Sequence, residues 1–317
     1  MKKQIITPPH VDFDEDFVNK DLDNQLIYKT SQLTKRISYL DAEKKNIKPL
    51  HLGQFKLFFS ELIFITKKSI GIRKVLYVGA AVGYHVGKLA DLFPDIMFDL
   101  WDPEKFDIDS KPNIKIYNNF FTNEKAQLYR EDGENPDRML FMCDMRNLEV
   151  EEAKKDPRKM DQITNKDMEY QSIWAKIIKP KYSYLKFRVP YIKQKFSYLN
   201  GTIYLQPYTP MSTECRLMTN NYDQLKIYDN VEFDELMAYF NSVIRFDDAK
   251  YDRWSDEFEK YNLLNCWDNT MGFYICDYYL RMIKNITSDE ETGKMFMDIL
   301  NFHSDRYGNK YDVVFNN

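Results

Sequence analysis

Four short apolar runs, KVLYV at 74–78, MFDLW at 97–101, MLFMC at 139–143 and YLKF at 184–187, recur along the chain with helical segments between them. Strand, helix, strand repetition of this kind predicts an α/β chain with a mostly parallel sheet and helices on both faces. Further strands are expected at NIKIY, TIYLQ and CRLM, and helices over about Gly83–Phe93, Thr122–Tyr129 and Asp167–Ile178. Ahead of them, Phe55, Phe58, Phe59, Leu62 and Ile65 fall at helical spacing, so GQFKLFFSELIFITKK reads as an amphipathic helix.

Beyond residue 220 the strands give way to helices: a stripe of Leu236, Met237, Phe240, Val243 and Ile244, then stretches near Trp267–Lys284 and Thr292–Phe302. The polar residues 1–52, with Pro8 and Pro9, read as an arm wrapping a body. The expected organisation is one domain over 1–317: arm 1–52, core 53–220, appended helices 221–302 and tail 303–317.

Composition excludes several classes. The chain is 44% hydrophobic and 15% aromatic, ample for a sizeable core, and its formal net charge of −4 advertises no polyanion partner. The four cysteines and four histidines are scattered, with no C-x-x-C pair and no H-E-x-x-H, so no protein-held metal is expected. The apolar stretch Leu57–Ile65 is too short to span a bilayer, and the opening MKKQIITPPHVDFDEDF shows no signal-peptide pattern. A cytoplasmic protein is the expectation.

VLYVGAAVGYH, residues 75–85, places a small-residue turn at the end of an apolar run, where an open α/β sheet binds ligands. Gly79 and Gly83 would let the backbone approach a ligand. A P-loop is excluded because no G-K-[ST] follows, and a dinucleotide fingerprint would need a glycine at Ala81. G-x-x-x-G with Asp102 at the next strand end, placed to accept from ribose hydroxyls, suits S-adenosylmethionine better; close strand-to-helix packing is the alternative.

Two further strand ends carry chemistry. FMCDMRN puts Asp144 after the fourth strand and YLKFRVPY puts Lys186 on the fifth; with Lys56 in GQFKLFF and Glu214 in STECRLM the order is K, D, K, E. Together with VLYVGAAVGYH, LWD, IIKPKYSYLKFRVPY and VEFDELMAYFN, these pieces resemble, in order from about residue 53 to 245, the poxvirus family of cap-specific mRNA nucleoside 2′-O-methyltransferases, which also serve as small processivity subunits of viral poly(A) polymerases. A weaker likeness reaches about residue 302, and the divergence points to a relative from another large DNA virus, in its cytoplasmic factory or virion.

The resemblance implies a Rossmann-like class I methyltransferase fold, S-adenosylmethionine as cofactor and Lys56, Asp144, Lys186 and Glu214 as catalytic tetrad. A 2′-hydroxyl attacks poorly until its proton is taken, and a second lysine with partial burial favours a neutral amine, which makes Lys186 the expected general base. The cofactor residues implied are Gln54, Tyr77, Gly79, Gly83, His85, Asp102, Phe121, Met145 and Arg146. For His85 the alternative is a plain helix N-terminal residue, and for Phe121 and Met145 ordinary core.

From Lys176 to Lys195 the chain has Lys176, Lys179, Lys181, Lys186, Arg188, Lys193 and Lys195 and no acid, interleaved with Tyr182, Tyr184, Phe187 and Tyr191. Such a run reads as a single-stranded RNA groove, the alternative being a solvated face. For the cap, the resemblance implies Tyr191 and Tyr28 as stacking rings and Asp234 as an edge carboxylate. Lys193 stands where the family has a second cap-edge acid, and Met211 where it has an aromatic. Capped single-stranded mRNA is thus the expected partner, with a poly(A) polymerase catalytic subunit as a second; an RNA-clamping subunit and a cap-indifferent 2′-O-methyltransferase are the competing functions.

Overall fold

Each of those apolar runs is a strand in the computed structural model, which describes residues 22–28, 36–38, 52–131, 136–146, 156–190, 192, 195–246, 253–307 and 314–315. The chain divides into two compact units, one of Leu57–Tyr204 and Glu214–Asn230, the other of Met1–Lys56, Leu205–Thr213 and Val231–Asn317.

The first unit is built on a seven-stranded sheet. Its strands are β1 (Lys74–Val78), β2 (Met97–Trp101), β3 (Ile114–Tyr117), β4 (Met139–Cys143), β5 (Tyr182–Phe187), β7 (Thr202–Tyr204) and β8 (Cys215–Thr219), in the order β3-β2-β1-β4-β5-β8-β7. The first five are parallel; β8 runs against β5, and β7 against β8. β1 and β4 are buried at every position, which is why they read as unbroken apolar runs.

Side chains on β1 alternate between two helical layers. Tyr77 reaches Glu61 of α1 (Gly53–Lys68), whereas Lys74 pairs with Asp99, whose other partner is the Tyr129 hydroxyl of α3 (Asn123–Glu131). Helix α2 (Tyr84–Leu92) links β1 to β2, and α4 (Pro157–Ile178) links β4 to β5 in the opposite direction across the sheet. Right-handed crossovers therefore place α2 and α4 on opposite faces.

Three readings change here. Helix α1 forms where expected, but Phe55 through Thr66 are all buried, so it is not amphipathic. Its polar groups are satisfied inside: Ser60 and Thr66 donate to the carbonyls of Leu57 and Leu62 at 3.1 and 2.7 Å, and Glu61 receives two partners from β1 and α2. Helix α4 starts at Pro157 rather than near Asp167, because Asp156 caps it by accepting from Arg158 N–H at 3.0 Å with proline in its first turn. Strands also continue past residue 220: β9 (Leu225–Asp229) pairs antiparallel with β6 (Lys195–Leu199) in a separate ribbon.

The second unit packs α5 (Asn230–Ser242), α6 (Ser255–Lys260), α7 (Trp267–Tyr279) and α8 (Asp289–Tyr307) around aromatic residues. Phe55 lies 4.6 Å from Tyr208 and 6.3 Å from Phe296 between ring centres, and Phe273 lies 4.7 Å from Phe296. Val243 and Ile244 follow the end of α5 rather than extending it, and the expected tail begins as helix, since α8 runs to Tyr307. Arg245 grips Asp268 through three contacts of 3.0–3.2 Å, both side chains fully buried, while Asp268 also accepts the Tyr208 N–H. Most of the expected N-terminal arm lies outside the described residues. Among those described, no helix is long and apolar enough to cross a membrane.

Candidate active site

Strand order reverses at β1 and β4, since the chain leaves β1 toward β2 and returns to β4 on its other side. The carboxyl ends flanking such a reversal form the natural ligand crevice of an open α/β sheet. Gly79 leaves β1 at φ +77°, and a Cβ there would overlap the Met145 backbone, so only glycine lets the β1 and β4 ends lie this close. Gly83, at φ +73°, enters α2, and a Cβ on it would meet the Ala80 carbonyl at 2.6 Å. Asp102 holds this turn: its carboxylate accepts from Ala81 N–H at 3.1 Å and Glu104 N–H at 2.9 Å.

The other expected cofactor residues divide into two groups. Tyr77 and His85 are buried, and both end on Glu61, the Tyr77 hydroxyl donating at 2.5 Å and His85 Nε2 lying at 3.0 Å. Burial, then Glu61 and Asp144, pushes the Tyr77 phenol well above its ordinary range. Phe121 is 7% exposed, with Trp101 and Trp174 edge-on at 5.4 and 5.1 Å. Gln54 is half-buried in the first turn of α1, and Arg146 is largely exposed, its guanidinium 3.7 Å from Glu214.

Of the four expected catalytic residues, Asp144, Lys186 and Glu214 come together within the first unit. Lys186 Nζ lies 2.8 Å from Asp144 Oδ1 and 3.7 Å from Glu214 Oε2, with all three side chains 10–12% exposed. Parallel β4 and β5 deliver Asp144 and Lys186 at their carboxyl ends, and antiparallel β8 delivers Glu214 just ahead of its start. Lys56 is buried in the first turn of α1 and is the last residue of its segment in the second unit.

A fourth side chain completes the cluster. Arg216 stands directly opposite Lys186 on β8 and is 2% exposed, with Nη2 3.0 Å from the same Asp144 oxygen and Nη1 3.5 Å from the Cys143 carbonyl. Burial disfavours its charge, but Asp144 and then Glu214 outweigh this and hold the guanidinium above its ordinary range. Beside the cluster is a cavity of about 240 Å³, walled by Met145, Met160, Ile163 and Met168, with Asp167, Gln171, Lys186, Arg188 and Glu214 supplying polar groups.

Among the described residues, the expected basic groove does not form as one surface. Lys181 Nζ donates to the Ile70 carbonyl before β5 begins, whereas Lys186 and Arg188 lie at its far end. A six-residue strand rising about 3.3 Å per residue separates the two groups by roughly 20 Å. Two of the interleaved aromatics are core: Tyr184 stacks on Phe64 at 4.5 Å, and Phe187 packs against Tyr228 at 5.0 Å. Lys176 and Lys179 are exposed at the end of α4, and Lys195 lies 3.9 Å from Asp229. Of the expected cap residues, Tyr191 and Lys193 lie outside the described residues. Tyr28 packs its ring 4.3 Å from Phe233, and Asp234, half-buried, follows Phe233 on α5. Met211 is half-buried.

A family model for the poly A polymerase regulatory subunit matches residues 21–290. The chain belongs to that family. It is also similar to the cap-specific mRNA (nucleoside-2'-O-)-methyltransferase of myxoma virus (strain Lausanne), with 29% identity over 220 residues, 62% of each chain. The fowlpox virus (strain NVSL) protein of the same name is 28% identical over 227 residues, 65% of this chain and 71% of the relative. The match thus spans less than two thirds of the myxoma protein's length. The region shared with the regulatory-subunit family takes in both glycines of the turn and the whole Asp144, Lys186, Glu214 and Arg216 cluster.

Two members of this site escape sequence reasoning. Arg216 in CRLM reads as an outward-facing strand residue, and Glu61 in SELIF as the polar face of a helix. The available signal is an acid or base inside an otherwise apolar run, which requires a buried partner.

Proposed function

We propose that this chain transfers a methyl group from S-adenosylmethionine to the ribose 2′-hydroxyl of the first transcribed nucleotide of 7-methylguanosine-capped mRNA. The observation that carries the reading is Lys186 Nζ held between Asp144 at 2.8 Å and Glu214 at 3.7 Å, beside a glycine turn at the strand-order reversal. The printed names of the myxoma and fowlpox relatives support it.

The donor set suits a sulfonium nucleoside. Asp102 stands at the β2 end, where ribose hydroxyls would lie, and keeps acceptor capacity beyond its two backbone bonds. Met145, on the cavity wall, and Phe121 offer apolar faces for an adenine, and the glycine turn lacks the lysine of a triphosphate site. Gln54, Gly79, Gly83 and Arg146 complete the proposed cofactor site, with Tyr77 and His85 bracing it through Glu61.

Bound there, the cofactor supplies an electrophilic methyl on a neutral leaving group. Lys186 receives the 2′-hydroxyl proton as the oxygen attacks in line. Asp144 and Glu214 fix the position of its Nζ. Lys56 is the proposed fourth member of the set, and alignment supplies much of the acceleration. Tyr28, Tyr191 and Asp234 would hold the cap, with Arg188 and Lys193 on the RNA backbone; Lys193 and Met211 make that pocket differ from the family's.

The deciding experiment follows labelled methyl transfer to one short RNA bearing either a 7-methylguanosine cap or a 5′-triphosphate, with wild type and Lys186→Ala. Cap-dependent labelling that falls about 10²–10⁴-fold in the variant is expected. Equal labelling of both RNAs would remove the cap specificity, and a wild-type protein that binds the cofactor but labels neither would overturn the enzymatic reading.

A second reading is favoured by the family's own description: an RNA-binding processivity subunit of a viral poly(A) polymerase, with or without methyl transfer. Co-purification with a polymerase catalytic subunit, and longer tails made per binding event in its presence, are the expected results.

A further inference from the structure

Strand β5 loses a neighbour at the point where it carries Lys186. Its parallel rungs with β4 run from Leu140↔Tyr182 to Cys143↔Leu185 and stop, while the antiparallel rungs with β8 continue to Phe187↔Cys215. Lys186 therefore lies past the last rung shared with β4, on the side where the sheet opens into the active edge. A partly buried strand carbonyl there calls for a donor from elsewhere, since leaving a buried one unpaired costs about 1–3 kcal/mol.

Helix α4 provides that donor. Gln171, in the interior of α4 and 1% exposed, donates from Nε2 to the Lys186 carbonyl at 2.5 Å and to the Tyr198 hydroxyl at 2.9 Å. Both amide hydrogens are thus spent, one on the backbone of β5 and one on β6. The orientation is dictated by chemistry, because a carbonyl oxygen only accepts and so the amide nitrogen must face it. The same side chain lines the cavity beside Lys186.

We infer that Gln171 is a positioning residue for Lys186: it replaces the missing β4 rung and fixes the peptide from which the Nζ reaches Asp144 and Glu214. This rests on the proposed reading of Lys186 as the base. A displacement of that peptide by about 1 Å is enough to cost on the order of 10²-fold in rate without touching any ligand contact.

The test uses two variants of the full chain. Gln171→Met fills similar space with no donor. Its kcat for methyl transfer is expected to fall about 10–100-fold, with KM for capped RNA and Kd for S-adenosylmethionine unchanged. Hydrogen exchange should rise in peptides covering 186–189 and stay unchanged in β1 and β4.

Gln171→Glu adds a readout that survives poor folding of the first variant. A protonated carboxyl keeps one donor for the Lys186 carbonyl and an ionised one keeps none. Its kcat relative to wild type should therefore climb as pH falls. Unchanged kcat in Gln171→Met, a Gln171→Glu profile parallel to wild type, or unaltered exchange over 186–189 would each overturn the inference. A wild-type protein without methyl transfer would defeat the proposed function instead, and the exchange measurement alone would then decide whether Gln171 holds this peptide.

Discussion

A single carboxylate oxygen, Asp144 Oδ1, accepts a hydrogen bond from Lys186 at 2.8 Å and forms an ion pair with Arg216 at 3.0 Å in a nearly dry environment. Removing one partner from such a cluster leaves the remaining charge under-compensated. Arg216→Met is accordingly expected to destabilise the protein by about 3–5 kcal/mol, read from the urea midpoint. The meeting of Asp144 and Lys186 was legible because strand-end residues of neighbouring parallel strands must emerge on one edge, whereas Glu214, ahead of antiparallel β8, was legible only through the family resemblance. Arg216 was not, because one polar residue inside CRLM looks the same whether it faces water or a buried carboxylate. Tyr77 and His85 show the reverse case: their positions near the turn were readable, but their shared partner Glu61 comes from a helix earlier in the chain.

At the level of elements, the glycine turn and the cap of α4 make opposite kinds of prediction. Gly79→Ala combines a left-handed backbone with overlap on the Met145 main chain. It should lower stability by at least about 1–3 kcal/mol and, on the proposed function, weaken S-adenosylmethionine binding, both measurable by calorimetry with and without that ligand. Asp156→Ala removes only a helix cap and should cost about 1 kcal/mol, with cofactor affinity retained. The parallel strands were readable since burial on both faces makes them short, apolar and sharply bounded. β6 and β9 were not: KFSYL and LKIYD form a ribbon whose exposed positions include Ile227 and Leu225, so polar and apolar residues give no clean alternation. The first half of α4 escaped for a similar reason, PRKMDQITNK offering few apolar residues to mark a helical face.

For the whole molecule, burial of weak acids sets a limit on alkaline stability. The Cys143 and Cys266 thiols are each pushed up to about 12, chiefly by burial, and the phenols of Tyr184, Tyr198 and Tyr208 rise for the same leading reason. An unfolded cysteine titrates near about 8.5, so these thiols favour the folded state fully below that pH, and the contribution is lost as pH climbs toward about 12. Urea titrations at neutral pH and at about pH 10 should show the midpoint falling, and the native thiols should resist alkylation at pH 8. An outcome of equal midpoints would mean that the thiols gain access to water without unfolding.

The opposed directions of β5 and β8 have one further result. The chain leaves the active edge after Phe187 and comes back to it at Glu214, and both departure and return are anchored by the paired rungs Lys186↔Arg216 and Phe187↔Cys215. The stretch between them is not a free loop: it supplies β6, which pairs with β9, and β7, whose rung Tyr204↔Arg216 holds Arg216 from the side of β8 opposite Lys186.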